Sequence, residues 1–257
     1  MKLYLIIFYL LLMKGVAPQA IEEHKVHSTY TQQDYMLLIK PSGQKVETLL
    51  FVTDGGLGLG EFIIGKSNEY KAPVPQNCAV IAVKHLGGKE PDRNRDYIPS
   101  DISKNAKQNF GQAHKFYLFI KNELIPFAQE KFPDNNRKVL LGHSLGGLLC
   151  LYVALQQPAL FTHYFAISPS IWANNFELLK IEKQYAKQHD DMNTAISIYA
   201  GSLEIFNLIR FSASRFVKSL RKRNYPKLKL HYTILKRAKH FSVRKPALEK
   251  IMQELRK

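Results

Sequence analysis

The feature that most constrains this chain is Gly142-His143-Ser144-Leu145-Gly146, lying between the apolar run Val139-Leu140-Leu141 and the apolar stretch that starts at Leu145. A strand, a sharp turn and a helix are implied in that order. The turn must be tight enough to hold Ser144 in a backbone conformation that only small neighbours permit, which accounts for Gly142 and Gly146. In such a turn the serine Oγ projects above the carboxyl end of the strand, where a substrate can reach it.

The rest of the chain supplies a setting for that turn. Apolar runs at Tyr35–Lys40, Thr48–Thr53, Ala79–Val83, Lys138–Gly142, Tyr164–Ile167, Ala195–Ala200 and Leu228–Leu235 read as strands. Helical patterns fall between the later ones, at 110–132 (with Pro126 towards its end), 145–157, 172–188, 205–223 and 246–255. A turn is expected at Pro41-Ser42-Gly43. Strands alternating with helices at this spacing predict an α/β protein with a mainly parallel central sheet and helices on both faces, the α/β-hydrolase fold. In such sheets reactive groups gather beyond the carboxyl ends of the strands. No repeat or linker divides the chain, so residues 21–257 are read as a single domain.

A serine hydroxyl needs a base, and the base needs an orienting carboxylate, in the chain order Ser, acid, His. His240 stands in the loop after the last strand and is the expected base. His163, His189 and His231 also follow Ser144, but His231 sits within a strand and His189 at a polar helix end. Glu204, directly after the Ala195–Ala200 strand, is the expected acid. Charge on the carbonyl oxygen requires fixed donors. The N–H of Leu145 is one, and the turn Asp54-Gly55-Gly56-Leu57 should provide the other through Gly55 or Gly56.

Four segments together resemble the esterase family that includes enterochelin and salmochelin trilactone esterases, feruloyl and acetylxylan esterases and esterase D. Asp54-Gly55-Gly56 is similar to its LDG element, and Asp92-Arg93-Asn94-Arg95-Asp96-Tyr97-Ile98-Pro99 to its R-x-R-D-x-x-P loop. Gly142–Gly147, Leu160-Phe161 and Ile167-Ser168-Pro169-Ser170-Ile171-Trp172 are similar to GHSLGG…F…SPSxWW. Gly201–Glu204 with His240-Phe241-Ser242 are similar to GxLE…GHS. The chain departs from the pattern at Thr53, Ala173 and Lys239. The resemblance implies a serine esterase with Ser144, His240 and Glu204 as its catalytic residues and no cofactor or metal. Some trilactone esterases of the family use a serine–histidine pair, so Glu204 is the member it supports least. It also implies that Arg93, Arg95, Asp96 and Trp172, with His143 inside the motif, lie near the substrate. For the two arginines an internal pairing with Asp92 or Asp96 is an equal alternative.

Composition bounds the partners. The formal net charge is +16, which favours solubility and attraction to anionic surfaces, or else the approach of an anionic small-molecule ester. No nucleic-acid module, zinc spacing or phosphate loop accompanies the charge, so nucleic acid is not an expected partner. Residues 1–20 read as a secretory signal peptide: Lys2, then apolar residues from Leu3 to Met13, then small residues to Ala20. Such a run rises only about 16 Å as a helix, too little to span a bilayer. Export to the periplasm or medium is therefore expected, without stable membrane insertion. Cys78 and Cys150 could then be joined, or could be two buried thiols. Siderophore-lactone hydrolysis, carbohydrate-ester or short-chain ester hydrolysis, acyl transfer to another acceptor, and noncatalytic binding on the same scaffold are the functions left open.

Overall fold

A computed structural model describes residues 20–41, 45–87, 89–100, 110–204 and 208–256, with the backbone alone at 89–91. The leader expected over residues 1–20 lies outside the described residues apart from Ala20. So do Ser42-Gly43 of the expected turn and the expected helix start at 205–207.

Among the described residues eight strands form one sheet: β1 (Glu22–Ser28), β2 (Gln33–Pro41), β3 (Thr48–Val52), β4 (Cys78–His85), β5 (Arg137–His143), β6 (His163–Ile167), β7 (Thr194–Gly201) and β8 (Leu228–Leu235). Their order is β1-β2-β4-β3-β5-β6-β7-β8. The β1–β2 and β2–β4 pairs are antiparallel, and every pair from β4 to β8 is parallel. All five residues of β3 are buried, as expected for a central parallel strand covered on both faces.

The α-helices of the described residues that cover the sheet are α1 (Gly58–Ile64), α2 (Lys89–Tyr97), α3 (Ala113–Phe119), α4 (Ile125–Lys131), α5 (Leu145–Gln156), α6 (Ala173–Gln188), α7 (Ile209–Arg223) and α8 (Arg244–Leu255). Successive strand residues feed two cores. Leu49 and Phe51 pack with residues of α3 to α7 on one face, and Leu50 and Val52 pack with α1 and α8 on the other. Each fully buried leucine or phenylalanine contributes about 1.5–3 kcal/mol, so this alternation fixes the register.

Several elements differ from the sequence reading. β1 was not expected, because its sequence EEHKVHS has one aliphatic residue. It is an edge strand, where charged side chains reach water and block further pairing. α1 contains Gly58 and Gly60 and lacks an obvious helical signal. The Arg-rich segment expected as a loop is α2. Pro126 is accommodated because a π-helical turn, Ile120–Leu124, separates α3 from α4, shifting the carbonyl that an interior proline would otherwise strike. The 172–188 segment opens with Asn174, Asn175 and Phe176 in the left-handed region before it becomes regular helix. Cys78 and Cys150 are free and buried. Burial pushes the Cys78 thiol up to about 11 and raises that of Cys150 well above the usual range. Among the described residues no helix is long and apolar enough to cross a membrane.

His163, at the start of β6, is only 5% exposed, and burial lowers its pKa to about 3. Burial likewise holds His143 well below the usual histidine range. In the unfolded chain both take up protons below about pH 6.5. The folded state stays neutral, so stability is full above that pH and falls as the pH drops below it, by about 1.4 kcal/mol per pH unit per histidine. Urea unfolding at pH 7, 6 and 5 should show this loss. His163→Asn, which keeps a polar group for its partner Ser197, should remove one histidine's share of the slope, and an unaltered slope would refute the assignment.

Candidate active site

Ser144 sits between the end of β5 and the start of α5 with φ +60° and ψ −119°, a conformation that costs an ordinary residue about 1–3 kcal/mol. The neighbouring glycines make it possible. A Cβ on Gly142 would lie 2.3 Å from the carbonyl of Gly146, and a Cβ on Gly146 would lie 2.1 Å from Thr53 Oγ1. Ser144 N–H donates to the Ile167 carbonyl (3.0 Å), and the Ser144 carbonyl accepts from Leu148 and Ser170. The strained residue is thus held by β6 and the loop that follows it.

The loops after β7 and β8 bring the other two groups to the serine. Ser202 N–H donates to the Leu235 carbonyl and Leu203 N–H to that of Ala238, so the two loops are joined just below the site. His240 Nδ1–H donates to Glu204 Oε1 at 2.8 Å. Its Nε2 accepts from Ser144 Oγ at 3.1 Å. Glu204 is 2% exposed. Its other oxygen accepts from Gly201 N–H (2.6 Å) and from the Ser168 hydroxyl (2.8 Å). A buried carboxylate with three donors is fixed in place and aimed at His240.

Two residues of this arrangement were not singled out in the sequence. Ser168 braces Glu204, and Ser170 Oγ lies 3.2 Å from Ser144 Oγ. Both belong to Ser168-Pro169-Ser170, whose repetition of serine around proline was the available signal. The loop after β6 therefore touches Ser144 and Glu204 at once.

The remaining expected residues are distributed differently. His143 borders the cavity, but its Nε2–H donates to the His240 carbonyl at 2.8 Å, with the two rings 4.7 Å apart. Neutral and buried, it holds His240 in place rather than presenting a charge to the cavity. Trp172 is on the cavity wall and 42% exposed. Arg93 reaches the cavity, but its guanidinium is bound to Asp54, with Nε–Oδ1 at 2.7 Å and Nη2–Oδ2 at 3.3 Å. Arg95 and Asp96 do not reach it. Arg95 pairs with Asp96 (2.7 Å) and Asp92 (2.8 Å), and the fully buried Asp96 also accepts from Tyr35 (2.8 Å) and lies 3.0 Å from His85. Arg95 thus has the internal pairing with Asp92 and Asp96, whereas Arg93 is paired with Asp54 and still borders the cavity.

The oxyanion donors also shift. Leu145 is the first residue of α5 and borders the cavity, where helix geometry leaves its N–H without an intrahelical acceptor. Gly55 cannot be the second donor, since its N–H bonds the Val83 carbonyl at 2.7 Å. Gly55 and Gly56 face Ala82 and Lys84 of β4 and are absent from the wall around Ser144. On that side the wall is Asp54, Leu57, Gly58 and Leu59, so the N–H groups available there belong to the opening of α1.

The cavity has a volume of about 590 Å³, within the range of small-molecule sites. Residues 29–216 match the family described as "Putative esterase". The chain belongs to this family. The chain is similar to siderophore triacetylfusarinine C esterase of Aspergillus fumigatus, with 29% identity over 176 residues, 64% of this chain and 59% of that protein. It is also similar to ferri-bacillibactin esterase BesA of Bacillus subtilis, with 38% identity over 123 residues, 44% of this chain and 43% of that protein. The chain thus matches less than two thirds of the length of either relative. The crystal structure of the BES protein from Bacillus cereus superposes with a TM-score of 0.76 at 25% identity, covering 93% of this chain and 97% of that one. The fold of this esterase-family member is the α/β-hydrolase fold.

Proposed function

We propose that the protein is an exported serine esterase that hydrolyses the ester bonds of an anionic siderophore. The observation that carries the reaction is the continuous relay from Ser144 Oγ through His240 to the buried Glu204, opening on a cavity of about 590 Å³. The siderophore esterases among its relatives and the net charge of +16 support the substrate class. The apolar leader supports export.

In this reading His240 Nε2 takes the proton of Ser144 as Oγ attacks the ester carbonyl. The oxyanion forms against the N–H of Leu145 and the opening of α1. His240 then gives that proton to the departing alkoxide, leaving the acyl group on Ser144. Water enters, loses a proton to His240 and attacks the acyl carbonyl. The carboxylic acid leaves, and Ser144 regains its proton. Glu204 holds the imidazole in the tautomer this requires.

The test is a substrate panel: ferric triacetylfusarinine C, ferric bacillibactin, a feruloyl sugar, an acetylated sugar and p-nitrophenyl esters. It is run on protein recovered from the exported fraction, with its amino terminus sequenced. The expected outcome is hydrolysis of one or both ferric siderophores to their open-chain acids by a chain starting near residue 21. Full activity on the sugar esters with none on either siderophore would sink the substrate assignment in favour of carbohydrate esters.

A further inference from the structure

Among the described residues two permanent cations border the cavity, Arg93 and Arg244, and they differ in one respect. Arg93 is neutralised by its two-point contact with the buried Asp54. Arg244 makes no ion pair among the described residues. Its Nε donates to the Phe241 carbonyl at 2.9 Å, and its guanidinium carbon lies 4.8 Å from the centre of the Phe62 ring and 5.5 Å from that of Phe241.

We propose that Arg244 is the substrate-anion receptor of this cavity, binding a planar oxyanion, a carboxylate or catecholate, carried by the ester at a distance from the scissile bond. This rests on the reading of the cavity as an ester-hydrolysing site.

The surroundings of Arg244 are those of a receptor rather than of a surface charge. The Phe62 and Phe241 rings restrain the guanidinium, and Nε is occupied. Among the described residues the terminal nitrogens make no hydrogen bond, and their planar arrangement is the geometry that matches two oxygens of one anion. The arginine lies across the start of α1, where Gly58 leaves room for it: a Cβ there would fall 1.9 Å from Nη1. Burial disfavours its charge, with Glu61 and Glu69 offsetting this only at a distance. A partly desolvated cation without a counter-ion gains most from an anion brought by the ligand. It shares the cavity wall with Ser144, His143 and His240, so the charge is close to the reacting groups.

The test uses pairs of esters alike in length but unlike in charge: mono-p-nitrophenyl succinate, glutarate and adipate against p-nitrophenyl butyrate, valerate and hexanoate. The readout is the ratio of kcat/KM within each pair, which cancels any loss of folded enzyme. The wild type is expected to favour the anionic member at one chain length or more. Arg244→Gln should lower that ratio about ten- to hundredfold, the range for a hydrogen bond to a charged group, mainly through KM. Arg244→Lys should keep part of it. A ratio unaltered in Arg244→Gln, or a wild-type preference for the neutral member at every length, would overturn the assignment.

Binding provides a readout independent of hydrolysis. Trp172 is the chain's single tryptophan and lies on the same cavity wall. In a Ser144→Ala background, 2,3-dihydroxybenzoate should quench its fluorescence saturably, and adding Arg244→Gln should weaken that binding at least about tenfold. Equal binding with and without Arg244 overturns the receptor role even if every ester is cleaved. Arg244-dependent binding without cleavage of any ester would uphold it and defeat the hydrolase reading instead.

Discussion

Replacing Ser144 with alanine is expected to lower kcat/KM on p-nitrophenyl butyrate by about 10³- to 10⁶-fold, since removal of a triad nucleophile leaves only binding and oxyanion stabilisation. That loss corresponds to about 4–8 kcal/mol of transition-state stabilisation. The neighbouring hydroxyl of Ser170 should not rescue activity, because its contact is to Ser144 Oγ and not to the His240 imidazole that would have to take its proton. The variant should fold normally: the backbone bonds from Ser144 to Ile167, Leu148 and Ser170 do not involve the side chain. Ser144→Gly separates chemistry from stability further. Glycine adopts φ +60° without the cost of a Cβ, so this variant should be as inactive as the alanine one. It should also melt higher than the alanine variant, by an amount set by the 1–3 kcal/mol or so of strain released. Activity within tenfold of wild type in Ser144→Ala would remove the serine mechanism altogether.

The parts of this site legible in the sequence are those governed by local rules. The elbow at Ser144 is readable because a strand, a turn and a helix follow one another within a few residues, and only Gly142 and Gly146 leave space for the turn. Glu204 and His240 are readable because parallel strands deliver the residues after β7 and β8 to the same edge of the sheet. The charged segment around Arg93 and Arg95 was open to two readings for a physical reason. Sequence shows which charges are present, but not which side of a polar helix is buried. Here Asp54 lies beneath that helix and Asp96, on the helix itself, is fully buried, and the arginines turn inward to meet them.

Other features depend on encounters that no local pattern records. Ser168 reaches Glu204 across 36 residues. Gly55 is consumed by a bond to β4, which only the pairing of that turn with Val83 reveals. Arg244 stands in a basic run that reads as an exposed charge cluster, and becomes distinctive only once Phe62 of α1 is packed against it. β1 escaped notice because an edge strand obeys the demands of solvent rather than those of the core. In each case the missing information is the identity of a neighbour on another element.

The acid makes the second large prediction, and its hydrogen bonds determine the choice of substitution. Glu204→Gln keeps the shape of the side chain but exchanges one oxygen for an NH2 donor. Gly201 N–H and Ser168 O–H both donate to Oε2, so the single carbonyl oxygen of glutamine must face them, and its NH2 must face His240 Nδ1. That nitrogen then has to accept rather than donate, which moves the imidazole proton to Nε2, where it points at Ser144 Oγ. The base is lost through the wrong tautomer, although every heavy atom can stay in place. The expected fall in kcat is about 10⁴-fold, by analogy with the corresponding acid-to-amide change in a serine protease triad, with little change in melting temperature. Glu204→Ala should behave differently: it leaves the Gly201 and Ser168 donors unsatisfied in a buried site, at a cost of about 1–3 kcal/mol each, so both activity and stability should drop. Measuring kcat, melting temperature and the ¹⁵N shifts of His240 in the two variants separates the cases. If Glu204→Gln retains kcat within tenfold while His240 keeps its proton on Nδ1, the carboxylate is dispensable and the site works as a serine–histidine pair. If the proton moves to Nε2 and activity collapses with it, the role of Glu204 is to choose the tautomer.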